Sequence, residues 1–162
     1  MLKLSKDKPN MLLLCGLPCS GKSTWTDTFL QDHPDYEVLS TDNLIDQEAA
    51  RQGKSYSDIF QDYIKIATGQ FTNDLADAIR AGKNIIIDRT NMNSKSRKQF
   101  MDKTKGYNRI AIVFKVPNDV LRKRLKDRAD ATGKFIPDAV IESMMKSYEA
   151  PTAAEGFDQV VS

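Results

Sequence analysis

Short apolar runs alternate along the chain with longer segments in which apolar residues recur every three or four positions. The runs predict buried strands at 11–15, 36–40, 84–88, 109–116 and 157–161. The periodic segments predict helices at 22–32, from 57 to about 80, 94–104, 119–129 and 138–148, and a further helix can begin at Thr41. Strands that alternate with helices are typical of a parallel sheet with helices on both faces, so the fold class is α/β.

Length and composition limit the number of domains, the partners and the location that this pattern allows. A length of 162 residues fits a single domain, 1–162, and a net charge of +2 requires any basic site to be local. No apolar run reaches the roughly 18 residues of a membrane span, so we expect no membrane partner. Cys15 and Cys19 lie too close to the glycine-rich loop that begins at Gly16 to form a sensible structural disulfide, which favours a reducing compartment and a cytoplasmic location.

The stretch CGLPCSGKSTW, from Cys15 to Trp25, contains the spacing G-x-x-x-x-G-K-S. Its two glycines let backbone N–H groups turn toward an anion, and the following helix points the positive end of its dipole at the same place. The lysine adds a full charge, and the serine hydroxyl is a ligand for Mg²⁺. The predicted ATP-binding residues of this loop are Gly16, Leu17, Pro18, Cys19, Ser20, Gly21, Lys22, Ser23 and Thr24. A redox switch at Cys19 is an alternative to a small filling side chain there.

A second candidate metal ligand is Asp88, at the carboxyl end of the predicted strand 84–88. Ligands of open α/β sheets bind at this end of the strands, and a carboxylate there holds Mg²⁺ directly or through water. Arg89 stands where motor ATPases resemble one another in having a glutamate, which disfavours a motor. No N-K-x-D motif follows the strand 109–116, which disfavours a GTPase switch. A kinase remains.

A kinase needs a group that takes the proton of the acceptor hydroxyl. Asp42 follows the predicted strand 36–40 and therefore comes near the phosphate loop if these strands are parallel neighbours. A carboxylate there fits general-base catalysis. The alternative is that Thr41 and Asp42 only cap a helix.

A kinase must also neutralise charge on the phosphoryl group that moves. The stretch LRKRLKDR places Arg124 and Arg128 four residues apart, on one face of a helix. They predict a lid helix that closes over the nucleotide. A solvated basic face is the alternative.

Four blocks of the chain together resemble the P-loop polynucleotide 5′-kinases, both the phage type and the kinase domain of the eukaryotic repair enzyme. The blocks are GLPCSGKSTW, STDNL, DRTNMN and VPNDVLRKRLKDR, and the tail YEAPTAAEGFD resembles the end of the repair-type domains. The resemblance implies a P-loop kinase fold with a five-stranded parallel sheet and a small helical lid at about 118–136. It also implies ATP, Mg²⁺ and a nucleic acid substrate, DNA or RNA.

The resemblance also implies roles for single residues. Lys22 and Ser23 bind phosphates and metal, Asp42 is the base, and Arg124 and Arg128 are the lid arginines. Asp88 is assigned as the family's functional aspartate, with Arg89 as the competing position. The expected acceptor-binding residues are Thr41, Asp42, Arg89, Thr90 and Asn91.

The chain departs from the phage type at two positions. Ile45 and Thr41 occupy the positions at which arginines flank the base in the phage-type kinases. This chain must therefore bind the phosphate of the acceptor through other residues. We expect a replacement basic surface among Arg51, Lys54, Arg89, Lys95, Arg97 and Lys98. A D-x-D-x-T phosphatase motif does not occur.

These departures leave other acceptors open. The same scaffold resembles phage kinases that phosphorylate a base hydroxymethyl group such as that of 5-hydroxymethyluracil, tRNA-linked kinases and sugar kinases. A P-loop module that binds ATP without transfer is a further alternative. The sequence leaves open DNA against RNA, 5′ end against base, the donor purine, and whether the chain forms a homo-oligomer.

Overall fold

The computed structural model describes residues 1–162 and contains one sheet of five parallel strands with helices on both faces. The strand order is β2-β3-β1-β4-β5. The strands are β1 Asn10–Cys15, β2 Glu37–Leu39, β3 Ile85–Asp88, β4 Asn108–Val113 and β5 Gln159–Val161. The predicted α/β class and five-stranded parallel sheet are therefore confirmed.

The six helices follow the predicted order. They are α1 Lys22–Asp32, α2 Thr41–Gln52, α3 Tyr56–Arg80, α4 Ser94–Lys103, α5 Asn118–Thr132 and α6 Asp138–Ser147. A short 3₁₀ turn, Ala153–Glu155, precedes β5. None of the helices is both long enough and apolar enough to cross a lipid bilayer.

Strand β1 lies at the centre of the sheet, and all six of its residues are buried. It pairs with β3 on one side and β4 on the other, so that Leu12 faces Ile86 and Ile110 across the two ladders. Because side chains of a strand alternate between faces, Met11 and Leu13 pack with α3 and α4, whereas Leu12 and Leu14 pack with α1. The phosphate loop therefore follows the central strand, which is fully buried and paired on both sides.

Two strands end earlier than their apolar runs predict. The run 109–116 predicted a strand to residue 116, but β4 ends at Val113, and Lys115 and Val116 leave the sheet to line a cavity. The run 36–40 predicted a strand to Ser40, but β2 ends at Leu39 because the Ser40 hydroxyl accepts a hydrogen bond from the Asn43 N–H and caps α2.

Helices α2 and α3 form a pair at the edge of the sheet and share a small apolar cluster of their own. Its buried members are Ile45, Ala49, Ile59 and Ala67. The connection is short because α2 ends at Gly53, whose φ of 67° suits a left-handed C-cap, and Ser55 and Asp58 form a capping box that starts α3.

Arg97 is fully buried, which corrects the expectation that it belongs to a basic surface. Its Nε lies 2.8 Å from Glu155 Oε1, and its Nη1 donates to the carbonyl of Asn91 at 2.9 Å. Glu155 also closes the 3₁₀ turn by accepting from the Thr152 N–H at 3.1 Å. The pair therefore fastens the segment before β5 to the loop after β3.

Candidate active site

A cavity of about 850 Å³ is lined by the residues that follow β1 and β2 and by the end of β3. Residues after β4 and two arginines of α5 complete the wall. The lining includes six basic side chains, Lys22, Arg89, Lys115, Arg124, Arg128 and Lys134, and three acidic ones, Asp42, Asp46 and Asp88. The whole chain carries only +2, so the positive charge is concentrated here.

The loop between β1 and α1 has a backbone that depends on its glycines. Gly21 has a φ of 106°, a region that side chains strain. A Cβ on Gly16 would come within 2.6 Å of Ser20 Oγ and 2.9 Å of Phe114 Cβ. Cys19 also has a positive φ, of 65°. These conformations make the loop a concave turn ahead of the α1 N-terminus, which is a geometry that receives phosphate.

Lys22 folds back across this loop. Its ammonium group donates to the carbonyl of Gly16 at 2.7 Å and to that of Leu17 at 3.3 Å. Burial lowers the pKa of Lys22, while the nearby charges of Asp88 and Asp42 act in the opposite direction. The lysine is therefore a desolvated cation that contacts only backbone carbonyls, with no carboxylate within ion-pair distance, and this environment suits the binding of a phosphate oxygen.

Asp88 and the Ser23 hydroxyl both face the cavity, and neither forms a hydrogen bond to another protein group. Burial raises the pKa of Asp88, and the charge of Lys22 opposes that effect. No group of three or more acidic, cysteine or histidine side chains comes together as a cage. One carboxylate plus one hydroxyl fits Mg²⁺, which keeps waters and takes phosphate oxygens as its remaining ligands.

Asp42 occupies the second position of α2. Since Ser40 caps the helix, the carboxylate of Asp42 is free of that task. Its Oδ1 accepts a hydrogen bond of 2.6 Å from the Tyr56 hydroxyl, and no protein donor contacts Oδ2. Asp42 lies close enough to shift the pKa of Lys22 and Asp88 by its charge.

Arg124 and Arg128 both line the cavity from α5. Arg124 donates from Nη1 to the carbonyl of Cys19 at 3.3 Å, so α5 contacts the phosphate loop. The Nε and Nη2 atoms of Arg128 are buried and have no hydrogen-bond partner. A buried guanidinium with unsatisfied donors suits an anion that the nucleotide would bring.

Two residues expected at the acceptor do not line the cavity. Asn91 is buried, with a φ of 49°, and donates from its side-chain amide to the carbonyl of Leu14 at 2.7 Å. Thr41 is buried, and its Oγ1 has no hydrogen-bond partner. Asn91 therefore supports the start of the phosphate loop from behind, together with Thr90, whose carbonyl accepts from the Gly16 N–H at 3.0 Å.

Of the six residues expected to form a replacement basic surface, Arg89 alone lines the cavity. Its guanidinium lies over the rings of Phe71, at 5.3 Å, and Phe100, at 5.9 Å. The side chain of Arg51 pairs with Glu48, and that of Lys98 pairs with Asp102. Pairs of side chains three or four residues apart, like these two, are common on helices.

Sequence reasoning missed several residues of the site. Lys134 and Asp46 face the cavity and form an ion pair of 3.1 Å, and Tyr56 contacts Asp42. On another wall Trp25 contacts Phe114 edge to face at 6.1 Å between ring centres. Lys134 lies six residues beyond the basic stretch that ends at Arg128, and nothing in the local sequence distinguished Tyr56 from a packing residue.

Comparison with known families decides where this fold and loop belong. The profile of AAA_33, described as an AAA domain, matches residues 11–151, from β1 to the segment after α6. The chain belongs to this AAA domain family.

Relatives of this AAA domain include a kinase of RNA-linked substrate. The chain is 27% identical to L-seryl-tRNA(Sec) kinase of Methanococcus maripaludis, over 91% of this chain and 56% of that protein. It is 28% identical to the transcription factor bHLH140 of Arabidopsis thaliana, over 99% of this chain but 16% of that protein. The AAA domain thus spans little more than half of one relative and a small part of the other.

Among solved structures, the AAA domain resembles a chain in the structure of the Pnkp1/Rnl/Hen1 RNA repair complex. The TM-score is 0.68 at 25% identity, and the match covers 86% of this chain and 44% of that one. With the phosphate loop and the parallel sheet, these comparisons show that the chain is a P-loop kinase-like domain.

Proposed function

We propose that this domain transfers the γ-phosphate of ATP to a hydroxyl group of a nucleic acid, most directly the 5′-OH end of DNA or RNA. The observation that carries the proposal is a single cavity that holds both halves of such a reaction. The phosphate loop with Lys22 lies on one wall, and Asp42, with a free Oδ2, lies on another.

On the side of the cavity that binds the ATP donor, different residues of this chain have different tasks. The loop amides and Lys22 bind the β- and γ-phosphates, and Arg124 and Arg128 place positive charge over them from α5. Ser23 and Asp88 would hold Mg²⁺, which would supply further charge neutralisation at the phosphates. The walls of the cavity hold these groups in place before reaction, so little reorganisation is needed.

On the acceptor side, Asp42 accepts the proton of the attacking hydroxyl at Oδ2. This role is worth about 10² to 10⁴ in rate in enzymes that use it. The Asp42 carboxylate is exposed to the cavity and lies within charge reach of the phosphate-loop lysine. A module that only bound ATP would have no use for a carboxylate at this place.

Two comparisons favour a nucleic acid acceptor. One relative is a kinase of seryl-tRNA, and one structural neighbour is part of an RNA repair complex. The excess of positive charge in the cavity also suits a polyanionic acceptor. Hydroxymethyl groups on DNA bases and sugar hydroxyls are the competing acceptors on the same scaffold.

A panel of acceptors tests the proposal. The protein is incubated with ATP labelled at the γ-phosphate and Mg²⁺, with separate additions of 5′-OH DNA, 5′-OH RNA, hydroxymethyluracil DNA, seryl-tRNA, nucleosides and sugars. We expect label on a 5′-OH oligonucleotide, and none with Lys22→Ala. Label on sugars or nucleosides alone would contradict the nucleic acid proposal. ATP binding without label on any acceptor would leave the binding module as the function.

A further inference from the structure

The segment that follows α5 docks on the start of α3. A Cβ on Gly133 would lie 3.3 Å from Ser55 Cβ, and the N–H of Phe135 donates to Ser57 Oγ at 3.2 Å. Between them, the ammonium group of Lys134 lies 4.2 Å from the centre of the Tyr56 ring. The helix that carries the two cavity arginines is therefore joined to the wall that carries Asp42.

Tyr56 makes an apolar contact with its ring and a hydrogen bond with its hydroxyl. Its ring packs beside the cluster formed by α2 and α3, and its hydroxyl donates to Asp42 Oδ1 at 2.6 Å. Burial, the hydrogen bond to Asp42 and the charges of Asp42 and Asp46 raise the pKa of Tyr56 far above its ordinary value. The phenol therefore keeps its proton and remains a donor to the carboxylate.

We propose that Tyr56 is a positioning residue for the Asp42 carboxylate, and that Lys134 makes this positioning depend on the docking of α5. The inference rests on the proposed function for its catalytic meaning. The hydrogen bond occupies Oδ1 and fixes the rotation of the carboxylate, so that Oδ2 faces the cavity. Tyr56 acts through its hydrogen bond to Asp42, and Lys134 acts through its contact with the Tyr56 ring.

The reaction served by this arrangement is balanced as follows. The O–H bond of the acceptor breaks, and its proton goes to Asp42 Oδ2. The acceptor oxygen forms a bond to the γ-phosphorus, while the bond from that phosphorus to the bridging oxygen breaks and ADP leaves with the electron pair. Tyr56 keeps its own proton throughout and contributes only orientation.

Lys134 connects this carboxylate to α5 by two contacts. It lies over the Tyr56 ring, and it pairs with Asp46 of α2 at 3.1 Å. The Lys134 side chain is only 13% exposed, which strengthens its contact with the Tyr56 ring, whereas the Asp46 side chain is about half exposed and its ion pair is partly screened by water. If α5 moves away from the phosphate loop, Lys134 leaves Tyr56, and the base loses its support at the same time as the nucleotide loses Arg124 and Arg128.

The first test uses single-turnover transfer with Tyr56→Phe, which keeps the ring and removes the hydroxyl. We expect transfer to fall about tenfold or more with ATP affinity unchanged. The control is Tyr63→Phe on the same helix, whose hydroxyl has no hydrogen-bond partner. In an Asp42→Asn background, Tyr56→Phe should change transfer by less than about twofold, because its effect acts through the missing carboxylate. Wild-type transfer by Tyr56→Phe, or an equal further loss in the double variant, overturns the inference.

A second measurement is independent of transfer. The five tyrosines of the chain are labelled with ¹³C at Cζ, and the signal that disappears in Tyr56→Phe identifies Tyr56. In Asp42→Asn we expect this signal to shift, because the phenol loses its hydrogen bond to a carboxylate. An unchanged signal would overturn the Tyr56–Asp42 contact. If wild type labels no acceptor, the proposed function fails, and this spectrum alone decides whether Tyr56 holds the carboxylate.

The coupling to α5 is tested by Lys134→Met, which keeps the length of the side chain and removes its charge. We expect transfer to fall about threefold to tenfold and the Tyr56 signal to shift. The matched control is Lys123→Met, an exposed lysine of α5 that pairs only with Asp127. An unmoved Tyr56 signal in Lys134→Met would overturn the coupling.

Discussion

At the scale of single residues, capping and chemistry are divided between two positions at the start of α2. Ser40 accepts the hydrogen bond from the Asn43 N–H that the helix end requires. Asp42, two residues on, is left with its carboxylate toward the cavity and toward Tyr56. A substitution at Asp42 can therefore be interpreted as a change in chemistry rather than a change in helix stability.

Asp42→Asn is expected to lower phosphoryl transfer by about 10² or more, because the amide cannot take the proton of the acceptor. ATP affinity should stay near the wild-type value, since Lys22 and the loop backbone are unchanged. The melting temperature should also stay unchanged, since Ser40 remains the cap. Single-turnover transfer, ATP binding and thermal denaturation check the three parts. Normal transfer by a stable variant would remove Asp42 from the mechanism.

Asp88→Asn is expected to make the protein more stable and less active. Burial raises the pKa of Asp88, so the ionised form destabilises the folded state above that raised pKa. The variant should therefore melt at a higher temperature than wild type at pH 7. The gain should shrink as the pH falls through the raised pKa and vanish below the ordinary value of 3.8, where both states bind the proton.

Thermal denaturation between pH 7 and pH 3.5 measures this dependence. Asp130→Asn is the control, because Asp130 is exposed and lies outside the cavity. Transfer by Asp88→Asn should fall at low Mg²⁺ and recover in part as Mg²⁺ is raised. A variant that melts at or below the wild-type temperature at pH 7 would contradict the burial cost.

At the scale of elements, α5 is the helix whose position links the two sides of the cavity. Its first part contacts the phosphate loop through Arg124 and Cys19, and its end docks on α3 through residues 133–135. Arg122 ties it to α6 through Asp138, at 2.9 Å. The helix thus has one face toward the cavity and separate contacts that hold it in place.

Arg128→Ala is expected to lower kcat by about 10³ and to raise the KM for ATP by much less. Arginine charge on a phosphoryl group that is being transferred has effects of this size in other enzymes. Lys126→Ala, exposed on the same helix and outside the cavity, should behave as wild type. Steady-state kinetics of the two variants decide between a lid helix and a solvated basic face. Equal kinetics would favour the solvated face.

Strands and helices were predictable from the sequence wherever their apolar residues pack in the sheet or against it. The five strands and the helices on the two sheet faces follow from their periods, because each buries its apolar side against β1, β3 or β4. Helix α2 was predicted only by its start, since Ile45 and Ala49 are its main apolar contacts and they meet α3 rather than the sheet. The end of β4 was missed because Val116 continues the apolar run but faces a cavity.

At the scale of the whole molecule, the cavity gathers six basic and three acidic side chains in a chain whose net charge is only +2. Lys22 and Arg124 already donate to backbone carbonyls, and under the proposed function the phosphate loop and α5 face ATP, which leaves few charges for the acceptor. Nucleic acid binding should therefore depend on salt through a small number of contacts.

Binding of a single-stranded 5′-OH oligonucleotide is expected to weaken with salt with a log–log slope between about −1.4 and −2.1. This range corresponds to two or three neutralised phosphates at about −0.7 each. Fluorescence anisotropy across salt concentrations measures the slope, and Arg89→Ala should reduce it by about one phosphate contact. A flat response would favour a nucleoside or sugar acceptor.

The residues of the candidate site that belong to sequence motifs or lie at the ends of strands were predictable from the sequence. Lys22 and Asp42 follow two parallel strands and Asp88 ends a third, and the carboxyl ends of these strands meet at one edge of the sheet. Arg89 was the one basic acceptor candidate that the fold placed in the cavity. Tyr56 and Lys134 depend on α3 meeting the segment after α5, a contact between residues 78 positions apart in sequence. No local pattern encodes such a contact.

The Arg97–Glu155 ion pair offers a way to make the folding of this protein, and with it its activity, depend on temperature. Glu155→Gln keeps the shape of the side chain but leaves the charge of Arg97 buried without a counterion, at a cost of about 3–5 kcal/mol. The melting temperature should fall by roughly 6–20 °C, as judged by calorimetry. Because Arg97 also holds Asn91 behind the phosphate loop, nucleotide binding should be lost together with the fold. The variant should behave as a temperature-sensitive allele, active when cool and silent when warm, with every cavity residue intact.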